Sequence, residues 1–429
     1  MNEKIKVVKN FIMRRYFSVF KSREKLERFQ EKNILAQLKY IKAHSEYFRD
    51  IKADSADDLK ALPYMDKHVM MENFNRLNCV GIDRDKALEI AINGEKTRDF
   101  DEKLDGISVG LSSGTSGARG LFIISDDERA MWAGGVLARF LPKGNIFGHK
   151  IAFFLRADNN LYETIDSKAI QFRYFDILKS MDGNLKELNE YQPSILVAPP
   201  SVLLLIASAM EKGEINVKPV KIVSVAEVLT ENDEKYFKRI FGLDIIHQAY
   251  QCTEGFLGYV CECGRFHLSE DVIYVEREYI DDERFVPIIT DFTRKSQPII
   301  RYRLNDILVA DKEKCPCGSA CAVIKKIEGR EDDIFIFDGP DGKDVTVFPD
   351  FISRCIIYAE GVRNYKVVQE DRKNITVYLD VTGDEIRNRI TEEFRTLSGR
   401  MGFEMPEIRF EDYTYDPARK MKRVERKVR

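Results

Sequence analysis

The chain has 429 residues, 44% of them hydrophobic and 32% charged, with a formal net charge of −3 at pH 7. That length serves two or three domains with sizeable cores, and the near-neutral balance gives no general drive towards nucleic acid or acidic surfaces. No apolar run is long enough for a spanning helix, and Arg14 and Arg15 cut short the apolar Phe11, Ile12 and Met13 that a cleavable signal would extend, so a cytoplasmic location is expected.

Residues 1–50 read as helix, with Ile34, Leu38 and Ile41 at three- and four-residue spacing. The first 25 residues are basic: Lys4, Lys6, Lys9, Arg14, Arg15, Lys21, Arg23 and Lys25 stand against Glu3 and Glu24. Val8, Phe11, Tyr16, Phe17 and Phe20 are interleaved among them. Such a segment can touch an anionic membrane surface, but the commoner outcome, and the one expected here, is packing on its own domain. Leu62 to Lys67 reads as a loop leading into a helix. Residues 107–111 and 121–124 suggest two strands joined by a turn. Beyond them, to about residue 300, short apolar runs alternate with helical stretches: strands at 151–155, 194–198, 221–225 and 244–247, helices at 200–212 and 230–241. That alternation predicts α/β layers around parallel strands. After Arg330 the pattern changes, and a strand at 334–337 with a turn at 338–342 opens a small α+β domain that closes on the basic run 419–429. The expected organisation is a helical segment at 1–60, a large α/β domain at 61–330 and a small α+β domain at 331–429.

Two stretches carry chemistry by composition. Between the strands near residues 107 and 124 lies Leu111-Ser112-Ser113-Gly114-Thr115-Ser116-Gly117-Ala118-Arg119-Gly120. Its hydroxyls and backbone N–H groups can surround an anion, its glycines let the main chain approach phosphate closely, and Arg119 adds a cation. This is a nucleotide-phosphate cradle in composition, without the Gly-Lys-Ser/Thr ending of a Walker loop or the spacing of a dinucleotide fold. The eight cysteines suit a reducing compartment as free thiols or as metal ligands. Cys261, Cys263 and His267 form one knot, and Cys315, Cys317 and Cys321 a second. Structural zinc takes four such soft ligands in a tetrahedron. The preferred set is Cys261, His267, Cys315 and Cys317, with Cys263 as the substitute and Cys321 last.

The loop at 111–120 resembles the Ser-Gly-Thr-Thr-Gly-x-Pro-Lys-Gly phosphate loop of the adenylate-forming (acyl-CoA synthetase, AMP-binding) superfamily, with Ala118 in place of proline and Arg119 in place of lysine. Tyr250-Gln251-Cys252-Thr253-Glu254 is similar to that superfamily's Tyr-Gly-x-Thr-Glu motif, which implies Thr253 towards the phosphates, Glu254 on Mg²⁺ and Tyr250 beside the nucleotide. Ser224-Val225-Ala226-Glu227 resembles the segment that covers adenine, with Val225 where glycine is usual. Tyr302-Arg303-Leu304-Asn305-Asp306 resembles Tyr-Arg-Thr-Gly-Asp, whose aspartate binds both ribose hydroxyls; Asn305 replaces the glycine. Gly329-Arg330-Glu331-Asp332-Asp333 is similar to the interdomain hinge, so Arg330 would approach the nucleotide and Asp332 would be the pivot. Arg419-Lys420-Met421-Lys422-Arg423-Val424 resembles the Gly-Lys-x-x-Arg-Val signature, placing the catalytic lysine at Lys420.

The Cys-Pro-Cys-Gly run at 315–318 and Leu62-Pro63 narrow the resemblance to the phenylacetate–CoA ligase branch, which includes CapK-like capsule-locus relatives. The implied reaction joins a carboxylic acid to AMP from Mg·ATP and then transfers the acyl group to a thiol, coenzyme A above all. Lys420 would neutralise charge on the reacting oxygens. The acid pocket is expected from residues 153–162, 223–227 and 249–259, where Tyr162, Tyr250 and Phe256 suit a flat or apolar acid. Two alternatives stand beside this: adenylation with a non-CoA acceptor, and a non-catalytic zinc-containing nucleotide-binding protein.

Overall fold

The computed structural model describes residues 3–112, 120–144, 146–155, 170–340, 342–357, 359 and 361–427. They form two compact units: the chain up to Leu304 with Ala310–Lys325, and Asn305–Val309 with the chain from Lys326 onward.

In the larger unit, the parallel strands Ile170–Asp176, His149–Leu155, Ile195–Ala198, Lys221–Ser224 and His247–Cys252 lie side by side in that order. Helices Met181–Tyr191, Pro200–Glu211 and Glu231–Phe241 connect successive strands, as parallel pairing requires. Alternate side chains of each strand reach opposite faces. Leu196, Phe154 and Ile222 enter a core with Phe175, Phe237 and the apolar helix Pro200–Glu211. Ile195, Val197 and Val223 enter the opposite core, with Ala133 and Leu137 of helix Asp126–Phe140 and with Val7 and Phe11. The inner strands Ile195–Ala198 and Lys221–Ser224 are buried throughout, the pattern of a sheet covered on both faces. Antiparallel strands Gly255–Val260 and Phe266–Leu268 continue the sheet beyond His247–Cys252.

Two expectations are corrected. The strand placed at 244–247 begins at His247, because the ladder pairs Val223 with His247 and Ser224 with Gln248. Ile245 and Ile246 precede the first partner, and their apolar character reflects core burial of Ile246 rather than pairing. Residues 1–50 do not form one helix. Glu3–Ile12 runs into a π-helical turn, Met13–Phe17, and a second helix spans Arg23–His44. The turn is held by long-range contacts: Arg14 bonds Asp271, and Arg15 donates to the carbonyls of Ala138, Leu141 and Pro142.

Strands Ile107–Leu111 and Leu121–Ile124 pair antiparallel with Leu111 opposite Leu121, as their alternation predicts. The smaller unit has its own sheet, ordered Glu407–Asp412, Asn374–Leu379, Tyr365–Gln369, Val424–Arg426, with helices Pro349–Ile357 and Asp384–Met401. Its core gathers Phe335, Phe337, Ile352, Val367, Val377 and Phe394. Among the described residues no helix is long and apolar enough to cross a membrane.

Candidate functional site

Ser112 closes the base of the hairpin between strands Ile107–Leu111 and Leu121–Ile124. Its N–H donates to Gly120 O at 2.7 Å, and Gly120 N–H donates to Ser112 Oγ at 2.7 Å. Ser113, Gly114, Thr115, Ser116, Gly117 and Arg119 lie outside the described residues, as does Tyr162. The same hairpin base meets a cation that sequence reasoning missed. Cγ and Cδ of Lys67 come within 3.5 Å of the position a Cβ at Gly120 would take. Lys67 opens the helix Lys67–Glu72, whose first turn is capped by Asp66 Oδ1 accepting from Val69 N–H at 2.8 Å. No local motif marks Lys67, since the fold brings it to the loop from far upstream.

Thr253 and Glu254 make the turn between His247–Cys252 and Gly255–Val260, with Tyr250 buried on the first strand. Glu254 is buried and accepts a hydrogen bond from the Tyr302 hydroxyl. Burial first, then the charge of Glu254, pushes the Tyr302 hydroxyl above its ordinary range, which keeps it a donor. Arg294 Nη1 reaches Thr253 O at 3.4 Å. Tyr302 and Arg294 therefore hold the turn from a separate part of the chain, and neither was expected there.

Ala226 follows the parallel strand Lys221–Ser224 and has a φ of 67°. A residue with a Cβ in the left-handed region stores roughly 1 kcal/mol or more of strain, a feature concentrated at functional loops. Glu227 Oε2 accepts from Ser201 N–H at 3.0 Å, which anchors this loop to the start of helix Pro200–Glu211.

The smaller unit brings together residues taken from two separate motifs. Arg330 Nε stands 3.4 Å from Asp306 Oδ1. Asn305 Nδ2 donates to Asp332 Oδ2 at 3.1 Å, and Glu331 N–H donates to Asn305 O at 2.8 Å. Asp332 sits in the short 3-10 turn Glu331–Asp333. Lys420 lies half-buried in the segment between strands Glu407–Asp412 and Val424–Arg426. Lys422, its near neighbour, is tied to the buried carboxylate of Asp333 at 2.5 Å.

The two cysteine knots converge. Sγ of Cys261, Cys315 and Cys317 and a ring nitrogen of His267 all lie within 4.8 Å of one another. Cys261 Sγ is 3.6 Å from Cys315 Sγ, and Cys317 Sγ is 3.4 Å from His267 Nε2. A tetrahedron with Zn–S near 2.3 Å has edges of roughly 3.7 Å, so the spacing fits that ion. His267 Nδ1 is 3.1 Å from Cys321 O, a contact that places its proton there and leaves Nε2 as the ligand atom. Burial raises the Cys261 thiol, but contact with the His267 ring and hydrogen bonds to the Cys263 and Arg265 backbone outweigh it and lower the thiol to about 6. Cys263 itself is exposed and outside the quartet, and Cys321 serves through its carbonyl.

A cavity of about 60 Å³ lies between helix Asp126–Phe140 and the start of strand Gly255–Val260, lined by Met131, Trp132, Val136, Phe256, Arg139 and Asp291 among others. Arg294 also lines it, and Nε of Arg139 and of Arg294 is buried without a hydrogen bond among the described residues. Burial pushes the Asp291 carboxyl up, against Thr293, whose N–H and hydroxyl donate to it at 2.7 and 2.6 Å. Any side chain at position 255 would crowd Asp291 Oδ2, 3.1 Å from its Cβ.

No protein-family model matches the chain. It is 27% identical to protein CapK of Staphylococcus aureus over 218 residues, 49% of this chain and 47% of that protein, so the match spans about half the length of the curated relative. Among solved structures, a 2-hydroxyisobutyryl-CoA ligase in the postadenylation state is similar with a TM-score of 0.68 at 16% identity, covering 92% of this chain and 88% of its own. An open conformation of that ligase, in complex with 2-HIB-AMP and CoA, gives 0.58 at 15% identity over 92% and 90%. An amide bond synthetase from Marinactinospora thermotolerans gives 0.53 at 12% identity over 74% and 67%.

Proposed function

We propose, for a chain that has the fold of the adenylate-forming ligases, that it activates a carboxylic acid with ATP and passes the acyl group to a thiol, coenzyme A first. The observation that carries this reading is the fold shared over 92% of the chain with a CoA ligase solved with an acyl-adenylate. What supports it further is the set of side chains whose types suit that chemistry. Ser112 and the loop it closes would receive the ATP phosphates, with Lys67 adding charge at the loop base and Thr253 a hydroxyl. Glu254 offers the hard oxygen ligand that Mg²⁺ prefers, and the ion, when bound, supplies charge neutralisation at the phosphates. Asp306, oriented by Arg330, would accept from both ribose hydroxyls. The strained Ala226 turn would cover the adenine.

In the first half-reaction a carboxylate oxygen of the acid attacks the α-phosphorus and pyrophosphate leaves; Lys420 would stabilise the negative charge gathering on the reacting oxygens. In the second, the acceptor thiolate attacks the acyl carbonyl and AMP leaves, with Asp332 as the pivot between the two halves. Cys261, His267, Cys315 and Cys317 would hold zinc in a closed, four-ligand and therefore structural site. The cavity beside Phe256 takes the tail of the acid. At about 60 Å³ it admits only a compact group, given that a water needs roughly 10–15 Å³ on the same measure.

The test is acid-dependent ATP–pyrophosphate exchange over short hydroxy acids, dicarboxylates, aryl acids and fatty acids, followed by AMP release with CoA or an amine. Exchange with a short, compact acid and CoA-dependent AMP release are expected. ATP binding without exchange for any acid would overturn the catalytic reading in favour of nucleotide binding alone.

A further inference from the structure

The helix Glu3–Ile12 and the turn Met13–Phe17 carry two apolar faces. One is used: Val7 and Phe11 are buried in a cluster with Ala130, Ala133 and Leu137 of helix Asp126–Phe140. The other faces solvent. Ile5, Val8, Ile12 and Tyr16 step by three or four residues, Met13 widens the stripe, and Phe17 and Val19 extend it. All seven are exposed, Tyr16 to 61% and Phe17 to 70%. Scattered exposed apolar residues need no explanation, but seven within fifteen positions form a patch.

The charge on this face selects its partner. From Lys4 to Arg23 the sequence contains no aspartate or glutamate. Several of its cations are engaged within the protein: Lys6 with Asp127, Arg14 with Asp271, Arg15 with three backbone carbonyls. Lys9 and Lys21 lie exposed along the apolar stripe. A second copy of the chain docking through the same face would set these lysines against one another, with no carboxylate in the segment to answer them. A surface of anionic headgroups over acyl chains answers both features at once, drawing the lysines and receiving the aliphatic and aromatic side chains.

We propose that the outer face of residues 4–21 docks the protein on an anionic lipid bilayer, while its inner face holds the segment on the larger unit. The aromatic pair Tyr16 and Phe17 enters the headgroup–acyl boundary, and the lysines lie at phosphate level. This docking is independent of the catalytic reading.

The experiment is flotation of the full chain with vesicles of phosphatidylglycerol and phosphatidylcholine, against vesicles of phosphatidylcholine alone. At least about tenfold more protein is expected on the anionic vesicles, falling steeply with salt. The double substitutions Val8→Asp with Phe17→Asp, and Lys9→Glu with Lys21→Glu, alter only exposed side chains and should each abolish flotation with unchanged thermal melting. Equal binding to neutral vesicles, no binding to either, or retained binding in both double variants would overturn the proposal. So would a dimer in lipid-free sedimentation velocity that Val8→Asp with Phe17→Asp dissociates, which would assign the face to a second copy.

Discussion

Asp271 shows how much one side chain can carry here. Its carboxylate meets Arg14 at 2.8 Å and Arg139 at 2.5 Å, all three largely out of water. Burial by itself would raise its pKa, but Arg139 and Arg14 outweigh that and hold it at about 2, below its ordinary 3.8. Because the folded value lies below the unfolded one, the contribution is complete above about pH 4 and is lost as pH falls towards 2. Its size is about 2 kcal/mol by proton linkage. Urea unfolding at pH 5 and at pH 3 should show that loss beginning in the wild type. Asp271→Asn should be less stable at pH 7 and show a flatter acid limb; an unchanged limb would contradict the assignment. A second contrast separates two lysines. Lys422 compensates the buried Asp333, so Lys422→Met should destabilise the smaller unit while retaining much of the exchange activity. Lys420→Ala should keep stability and lose exchange by a factor of about 100 or more, as for removal of one oxyanion-stabilising group. Equal effects of the two substitutions on both readouts would sink the distinction. At this scale the convergence of Cys261, His267, Cys315 and Cys317 was legible from ligand type and spacing alone. Tyr302, Lys67 and Arg294 were not, because each reaches its partner across the fold with no local pattern to announce it.

Among the elements, the contact of helix Glu3–Ile12 with helix Asp126–Phe140 depends on a single glycine. A Cβ at Gly134 would stand 2.6 Å from Val7 O and 2.7 Å from Phe11 N, both backbone atoms that cannot swing aside. Gly134→Ala should therefore push the first helix away and cost on the order of 1–3 kcal/mol, despite the better helix propensity of alanine. Hydrogen exchange would show faster exchange confined to residues 3–12; a stabilised variant would refute the close packing. The cysteine knots join two elements in the same way, a hairpin turn and the loop before strand Val323–Arg330. Elemental analysis should find one zinc per chain, kept in Cys263→Ser and lost in Cys315→Ser. Its affinity should fall at lower pH as protons compete for the thiolates. Retention in Cys315→Ser would exclude the quartet. Periodicity revealed the helices near 200–212 and 230–241 and the parallel strands near 151–155, 194–198 and 221–225. It did not mark helices Arg84–Thr97, Asp126–Phe140 and Met181–Tyr191, strand Ile170–Asp176, or the π-helical turn at Met13–Phe17, which tertiary hydrogen bonds from Arg14 and Arg15 hold in place.

For the whole molecule, the two units have separate cores, one around Phe154, Leu196 and Phe237 and another around Phe335, Val367 and Phe394. The chain passes between units more than once, since Asn305–Val309 belongs with the smaller unit although Ala310–Lys325 returns to the larger. Calorimetry without nucleotide should resolve two transitions, the Lys422→Met change moving only that of the smaller unit. One transition with equal calorimetric and van't Hoff enthalpies would show instead that the units unfold together.

The sequence by itself determined the layered α/β class, the antiparallel pairing of the strands either side of residues 112–120, and the preferred grouping of Cys261, His267, Cys315 and Cys317. These depend on periodicity, residue type and short spacing, all written locally. Only the tertiary structure decided that Arg330 meets Asp306, that Tyr302 holds Glu254, that a small cavity with two buried arginines lies beside Phe256, and that the first helix keeps an exposed apolar face. Each of these is a relation between residues distant in the chain, and the packing that creates them leaves no local trace.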